Sequence, residues 1–128
     1  MNTVPLPLHA LAHGRTGDKG NRSCISVIAW HEDLYPWLVQ QLTQQRVADV
    51  FATRRPSAVH RYLLPNLHAM NFVLDDVLDG GVNSSLNLDT HGKALSYLLL
   101  GLPLEVPAEL ARLANPLYLN SNKETHHA

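Results

Sequence analysis

Cysteine is nearly missing from this chain: Cys24 stands alone in 128 residues. No disulfide can form within it and nothing points to an oxidising compartment, so the core alone has to hold the fold. Lysine is almost as scarce, with only Lys19, Lys93 and Lys123. A formal net charge of −1 supplies neither a broad basic field for nucleic acid nor an acidic block. No apolar run approaches a membrane span, and the opening MNTVPLPLHALAHG lacks the basic region and unbroken apolar core of a signal peptide. Repeats and low-complexity tracts are absent as well. A cytoplasmic protein with no nucleic-acid and no membrane partner is expected, and 45% apolar residues in this length suit one domain rather than two.

What is present reads as alternating strands and helices. LHALAHGR (Leu8 to Arg15) and SCISVIAW (Ser23 to Trp30) suit strands, the second rich in β-branched residues. In EDLYPWLVQQLTQQRVADVFA, Leu34, Leu38, Leu42, Val47, Val50 and Phe51 recur at helical spacing. Pro36 suits a first turn and Thr43 a second N-cap, which predicts one helix or a broken pair. SAVHRYLLPNLHAMNFVL divides into two strands around Pro65–Leu67, because proline cannot donate to a ladder and Asn66 favours a turn. If the first of these is extended, Ala58, His60 and Tyr62 face opposite to Val59, Arg61 and Leu63. A glycine-containing segment, DDVLDGGVNSSLNLDTHG, leads to a short helix over 92–102 ended by glycine.

Two strands, a helix, two strands and a helix predict an α+β fold. It has a single antiparallel or mixed sheet of four to five strands with helices on one face, either ferredoxin-like or a permuted variant of that unit. The α+β domain is expected over 1–106. Residues 107–128 form a C-terminal arm with a turn of helix at PAELARLA and a mobile tail. An open sheet also leaves an edge, and edges invite partners.

The densest cluster of glycine and charge is HGRTGDKGNRS, residues 13 to 23. Gly17 and Gly20 permit positive φ and close approach, so consecutive amides there are expected to form an anion-binding nest, with Arg15 and Lys19 adding positive charge. The competing reading is a tight connection closed by the glycines, with Asp18 paired to Lys19 or capping the turn. GxxxxGK[ST] is absent and a strand follows, so this is not a P-loop.

GRTGDKGNRSCISVIAW, RYLLPNLHAMNFVL, GGVNSSLNLD and GK, in this order, resemble the small C-terminal ferredoxin-fold domain of the acyclic terpene utilisation (AtuA-like) family, which also occurs as a separate chain. The resemblance covers roughly residues 8 to 106, and four ordered motifs are far more specific than one glycine pattern. Gly17, Asp18, Lys19, Gly20, Pro65, Asn66, Leu67, Asn71, Phe72, Gly80, Gly81, Ser85, Asp89 and Lys93 match it. Cys24, Ser26 and Asp79 stand where the pattern prefers Asn, Gly and Gly, and Asp79 weakens the second glycine segment as an anion site.

The resemblance implies a place in acyclic-terpene or branched acyl-CoA breakdown, with no chemical step attached to the domain. The charged loop and the matched motifs together give Arg15, Gly17, Asp18, Lys19, Gly20, Asn21, Asn71, Ser85, Asp89 and Lys93 as the expected ligand-binding residues. Homo-oligomers, a larger AtuA-like chain and an acyl-CoA-type ligand are the expected partners. The alternative is an enzyme of acyl-CoA or branched-acid metabolism that gathers Asp18, Lys19, Asp89, His91 and Lys93 around one pocket.

Other chemistries fit less well. Cys24 lacks an adjacent base and reads as a small buried strand residue. His9 and His13 lie roughly 13 Å apart on a strand, so no metal is expected, and no cofactor. Ser84, Ser85, Asp89 and His91 supply the residue types of a hydrolytic triad, but VNSSLN has no G-x-S-x-G elbow.

Overall fold

A computed structural model of the protein describes residues 2–19, 22–52, 56, 58–75 and 95–115; for Asp18 and Lys19 it describes the backbone alone. Strand β1 (Thr3–Pro7) leads through a 3₁₀ turn (Leu8–Ala10) into β2 (Ala12–Lys19) and β3 (Arg22–Ala29). A second 3₁₀ turn (Glu32–Leu34) precedes helices α1 (Tyr35–Gln41) and α2 (Gln44–Val50). Strand β4 (Ala58–Leu64), a 3₁₀ turn at Pro65–Leu67 and β5 (Ala69–Asp75) follow. Residues 95–100 are helical (α3), and the described chain closes with β6 (Pro103–Pro107) and α4 (Ala108–Ala111).

The main sheet has the order β2-β3-β5-β4, antiparallel throughout. Hairpin, helices, hairpin, helix in this order is the expected permuted ferredoxin-like α+β arrangement. A second sheet of two strands, β1 and β6, joins the two ends of the described chain, with Leu6 opposite Leu104 and Val4 opposite Val106. Its prolines, Pro5, Pro7, Pro103 and Pro107, are tolerated because both strands of a two-stranded sheet are edges. This second sheet is one more than the single sheet expected. Leu6, Leu104 and Val106 are buried and belong to the main core, so the small sheet closes the core.

The helices form where the pattern places them. Pro36 lies in the first turn of α1, and the Thr43 hydroxyl accepts from the Arg46 N–H at 3.1 Å to cap α2. Leu34, Leu38, Leu42, Val47 and Phe51 are buried against Ile25, Val27, Met70, Phe72 and Leu74 on one face of the sheet. Leu95 and Leu99 of α3 join the same core. Each such side chain contributes on the order of 1.5–3 kcal/mol by leaving water.

Two residues fix the helices to this face. Arg61 of β4 donates through Nη1 to the carbonyls of Val39 and Leu42, at 2.7 and 2.8 Å, while its own N–H is accepted by Gln44 Oε1 at 3.0 Å. A guanidinium on the last carbonyls of α1 satisfies orphan acceptors and complements the helix dipole. Gly14 faces α3: a Cβ there would sit 3.1 Å from Leu100 Cδ1 and 3.4 Å from the Ser26 carbonyl. Its bareness lets α3 lie close on β2.

The LHALAHGR segment departs from the strand expected of it. Leu8–Ala10 is a 3₁₀ turn, and β2 begins at Ala12 and runs on to Lys19. Leu8 is claimed by the small sheet, donating its N–H to the Leu102 carbonyl at 2.9 Å, which shifts the strand boundary.

Arg61→Met is expected to lower unfolding free energy by about 2 kcal/mol, the worth of charge-assisted hydrogen bonds to otherwise orphaned carbonyls. Gly14→Val is expected to cost about 1–3 kcal/mol through overpacking against Leu100. Urea unfolding curves measure both; wild-type midpoints would contradict these roles.

Candidate ligand groove on the open sheet face

With the helices on one face, alternation sends every second strand residue to the other. The register places Gly17, Cys24, Val73 and His60 in one row across all four strands of that open face. Arg15, Ser26, Asn71 and Tyr62 form the next row on one side, and Arg22, Asp75 and Ala58 lie in the row on the other. A shallow groove of about 530 Å³ follows the central row, lined by Gly17, Arg22, Cys24, His60, Tyr62, Val73 and Asp75. Small-molecule sites have volumes of this order.

One cross-strand ion pair orders its charged side. Arg22 Nε donates to Asp75 Oδ1 at 2.7 Å, and His60 Nε2 stands 3.8 Å from Asp75 Oδ2. The hydrogen bond to Asp75, and then its charge, push the Arg22 guanidinium further above its already high range, so Arg22 stays cationic at every physiological pH. Only Nε is engaged among the described residues, which leaves the two terminal nitrogens for a ligand. Arg15 is exposed on the same face and has no ion pair among the described residues. Asn71 Oδ1 is buried there without a hydrogen-bond partner.

The first glycine motif is a strand pair. Gly17 pairs with Cys24, Asp18 with Ser23 and Lys19 with Arg22. Successive amides of an extended strand point to opposite sides, so Gly17–Lys19 by themselves form no nest of neighbouring N–H groups, while Gly20, the other glycine of the expected nest, lies outside the described residues. Gly17 also lacks a left-handed φ, and a Cβ built on it would meet nothing within 4 Å among the described residues. The backbone therefore does not require glycine there. Arg15 is about 6.6 Å away along β2 by strand rise, and Arg22 is its diagonal neighbour on β3 at roughly 7–8 Å.

Of the residues expected at a site, Arg15, Gly17 and Asn71 share the open face. Asp18 and Lys19 are placed as strand backbone. Gly20, Asn21, Ser85, Asp89 and Lys93 lie outside the described residues, as do Ser84, His91 and Asp79. Cys24, expected in the core, is part-buried on the groove floor instead. Sequence reasoning missed Arg22, His60, Tyr62, Val73 and Asp75 as groove residues. Their signal was the two-residue spacing of 22 and 24, 60 and 62, and 73 and 75, which becomes a site only once the register is known.

A family model, the AtuA ferredoxin-like domain, matches residues 6–105. The chain belongs to that family. No curated protein and no solved structure matches the chain. The AtuA-type match spans β2 to β5, and so the whole groove, and reaches into β6. Among the described residues of this AtuA-family domain, no three His, Cys, Asp or Glu side chains gather as a metal site. No helix among them is long and apolar enough to cross a membrane.

Gly17→Ala is expected to leave the unfolding free energy within about 0.5 kcal/mol of wild type, as surface changes usually do. Thermal unfolding measures it. A loss of several kcal/mol would show that the fold itself needs glycine at this position.

Proposed function

We propose that this AtuA-family domain is a cytoplasmic accessory domain that binds a small anionic molecule with an apolar body, of the acyl-CoA or branched acyl carboxylate class. It serves acyclic-terpene or branched acyl-CoA catabolism without carrying out a chemical step itself. The observation that carries the reading is Gly17 set between Arg15 and Arg22 at one end of a groove whose floor is thiol and isopropyl. Guanidinium groups suit carboxylate and phosphate through forked, charge-assisted hydrogen bonds, and Asp75 holds one fork in a fixed direction.

Partners belong to the same reading. Tyr62, Leu63, Leu64 and Leu67 are 54%, 43%, 39% and 65% exposed along β4 and the turn after it, and β4 is an edge strand. An apolar edge of this kind favours association, with a second copy and with a larger AtuA-like chain. Gln44 already occupies the Arg61 N–H, so contact through side chains is favoured over continuous strand addition.

Thermal stability with and without saturating acyl-CoA tests the proposal. Ligand at about a hundred times its Kd is expected to stabilise the native state by about 2.7 kcal/mol. Arg15→Gln is expected to reduce that gain without altering the unliganded midpoint. No stabilisation by acyl-CoA or by acyl carboxylates overturns the reading.

A further inference from the structure

Resting on the ligand-binding reading above, we infer that Gly17 is the shape-selecting residue of the groove: its missing side chain seats the head of an elongated acyl carboxylate, whose chain crosses the strands over Cys24 and Val73 towards His60.

The inference begins with a glycine that the fold does not explain. Inside a strand, glycine loses more conformational freedom than other residues and offers nothing to pack, so it usually marks a positive φ, a bulge or a close approach. Gly14, on the same strand, is accounted for by Leu100 lying against it. Gly17 has no positive φ and no atom of the described residues within 4 Å of where a Cβ would be, and it pairs in regular register with Cys24. The space above it is the groove itself.

The surroundings say what that space admits. The floor row, from Gly17 to His60, crosses three strand spacings, about 14 Å, and so favours an elongated ligand lying across the strands. Polarity along the row is uneven: cations flank its β2 end, Cys24 and Val73 form the middle, and imidazole and phenol rings stand at the far end. A carboxylate above Gly17 meets the terminal nitrogens of Arg22, which have no partner among the described residues, and lies within reach of Arg15, while its chain covers thiol and isopropyl. A side chain at position 17 would occupy the seat of the head group.

The test titrates octanoate, with octanol as the uncharged control, into wild type, Gly17→Ala and Gly17→Val, following amide chemical shifts by NMR. Octanoate is expected to move Cys24 and Val73 in wild type and to bind more tightly than octanol. Gly17→Val is expected to weaken octanoate by about tenfold or more, and Gly17→Ala by less, with unliganded spectra retained. If Gly17→Val does not fold, Gly17→Ala alone decides, because its methyl meets no atom of the described residues. Octanoate binding unchanged in the substituted proteins overturns the role of Gly17 and leaves the groove reading standing. If wild type binds neither octanoate nor octanol, the seat at Gly17 falls, and the groove reading falls with it when acyl-CoA also leaves the thermal midpoint unchanged.

Discussion

Everything functional in this structure depends on the helices being confined to one face of the four-stranded sheet. Leu34, Leu38, Leu42, Val47, Phe51, Leu95 and Leu99 bury one face of it, and Arg61 ties the end of α1 to β4 from the same side. Gly14 lets α3 settle close to β2. Two layers share one core, and no described element packs on the other side of the sheet.

On that open side, a cross-strand row becomes a groove because of what each strand contributes. β2 supplies no side chain at position 17, β3 and β5 supply Cys24 and Val73, and β4 supplies His60, with Tyr62 beside it. Arg22 and Asp75 sit opposite one another at strand ends, so their ion pair forms as a consequence of the register. Exposed pairs of this kind add little stability. Their effect here is to orient one guanidinium whose terminal nitrogens have no partner among the described residues.

Much of the fold was legible in the sequence because its signals are local. Pro36 and Thr43 mark helix starts, Pro65 and Asn66 mark a turn, and leucines at helical spacing mark the buried face. The pairing of β1 with β6 was not legible, since nothing local in TVPLP or PLEVP points to a partner at the other end of the described chain. The HGRTGDKGNRS motif was legible only in part for a related reason: residues 14 to 19 are strand, and only the register shows Gly14 meeting a helix and Gly17 meeting a groove, while Gly20 lies outside the described residues. The site was half legible: Arg15, Gly17 and Asn71 stand out by residue type and motif, while His60 and Asp75 gain meaning only when four strands are laid side by side.

Cys24, the lone thiol, offers the most direct test, because it lies on the groove floor and not in the core. The measurement is its alkylation by iodoacetamide in the native protein, followed by mass spectrometry with and without octanoate. An open sheet face that receives the ligand predicts modification without unfolding, slowed markedly when octanoate is bound. Alkylation only at the rate of global unfolding, or at a rate octanoate leaves untouched, would contradict the account.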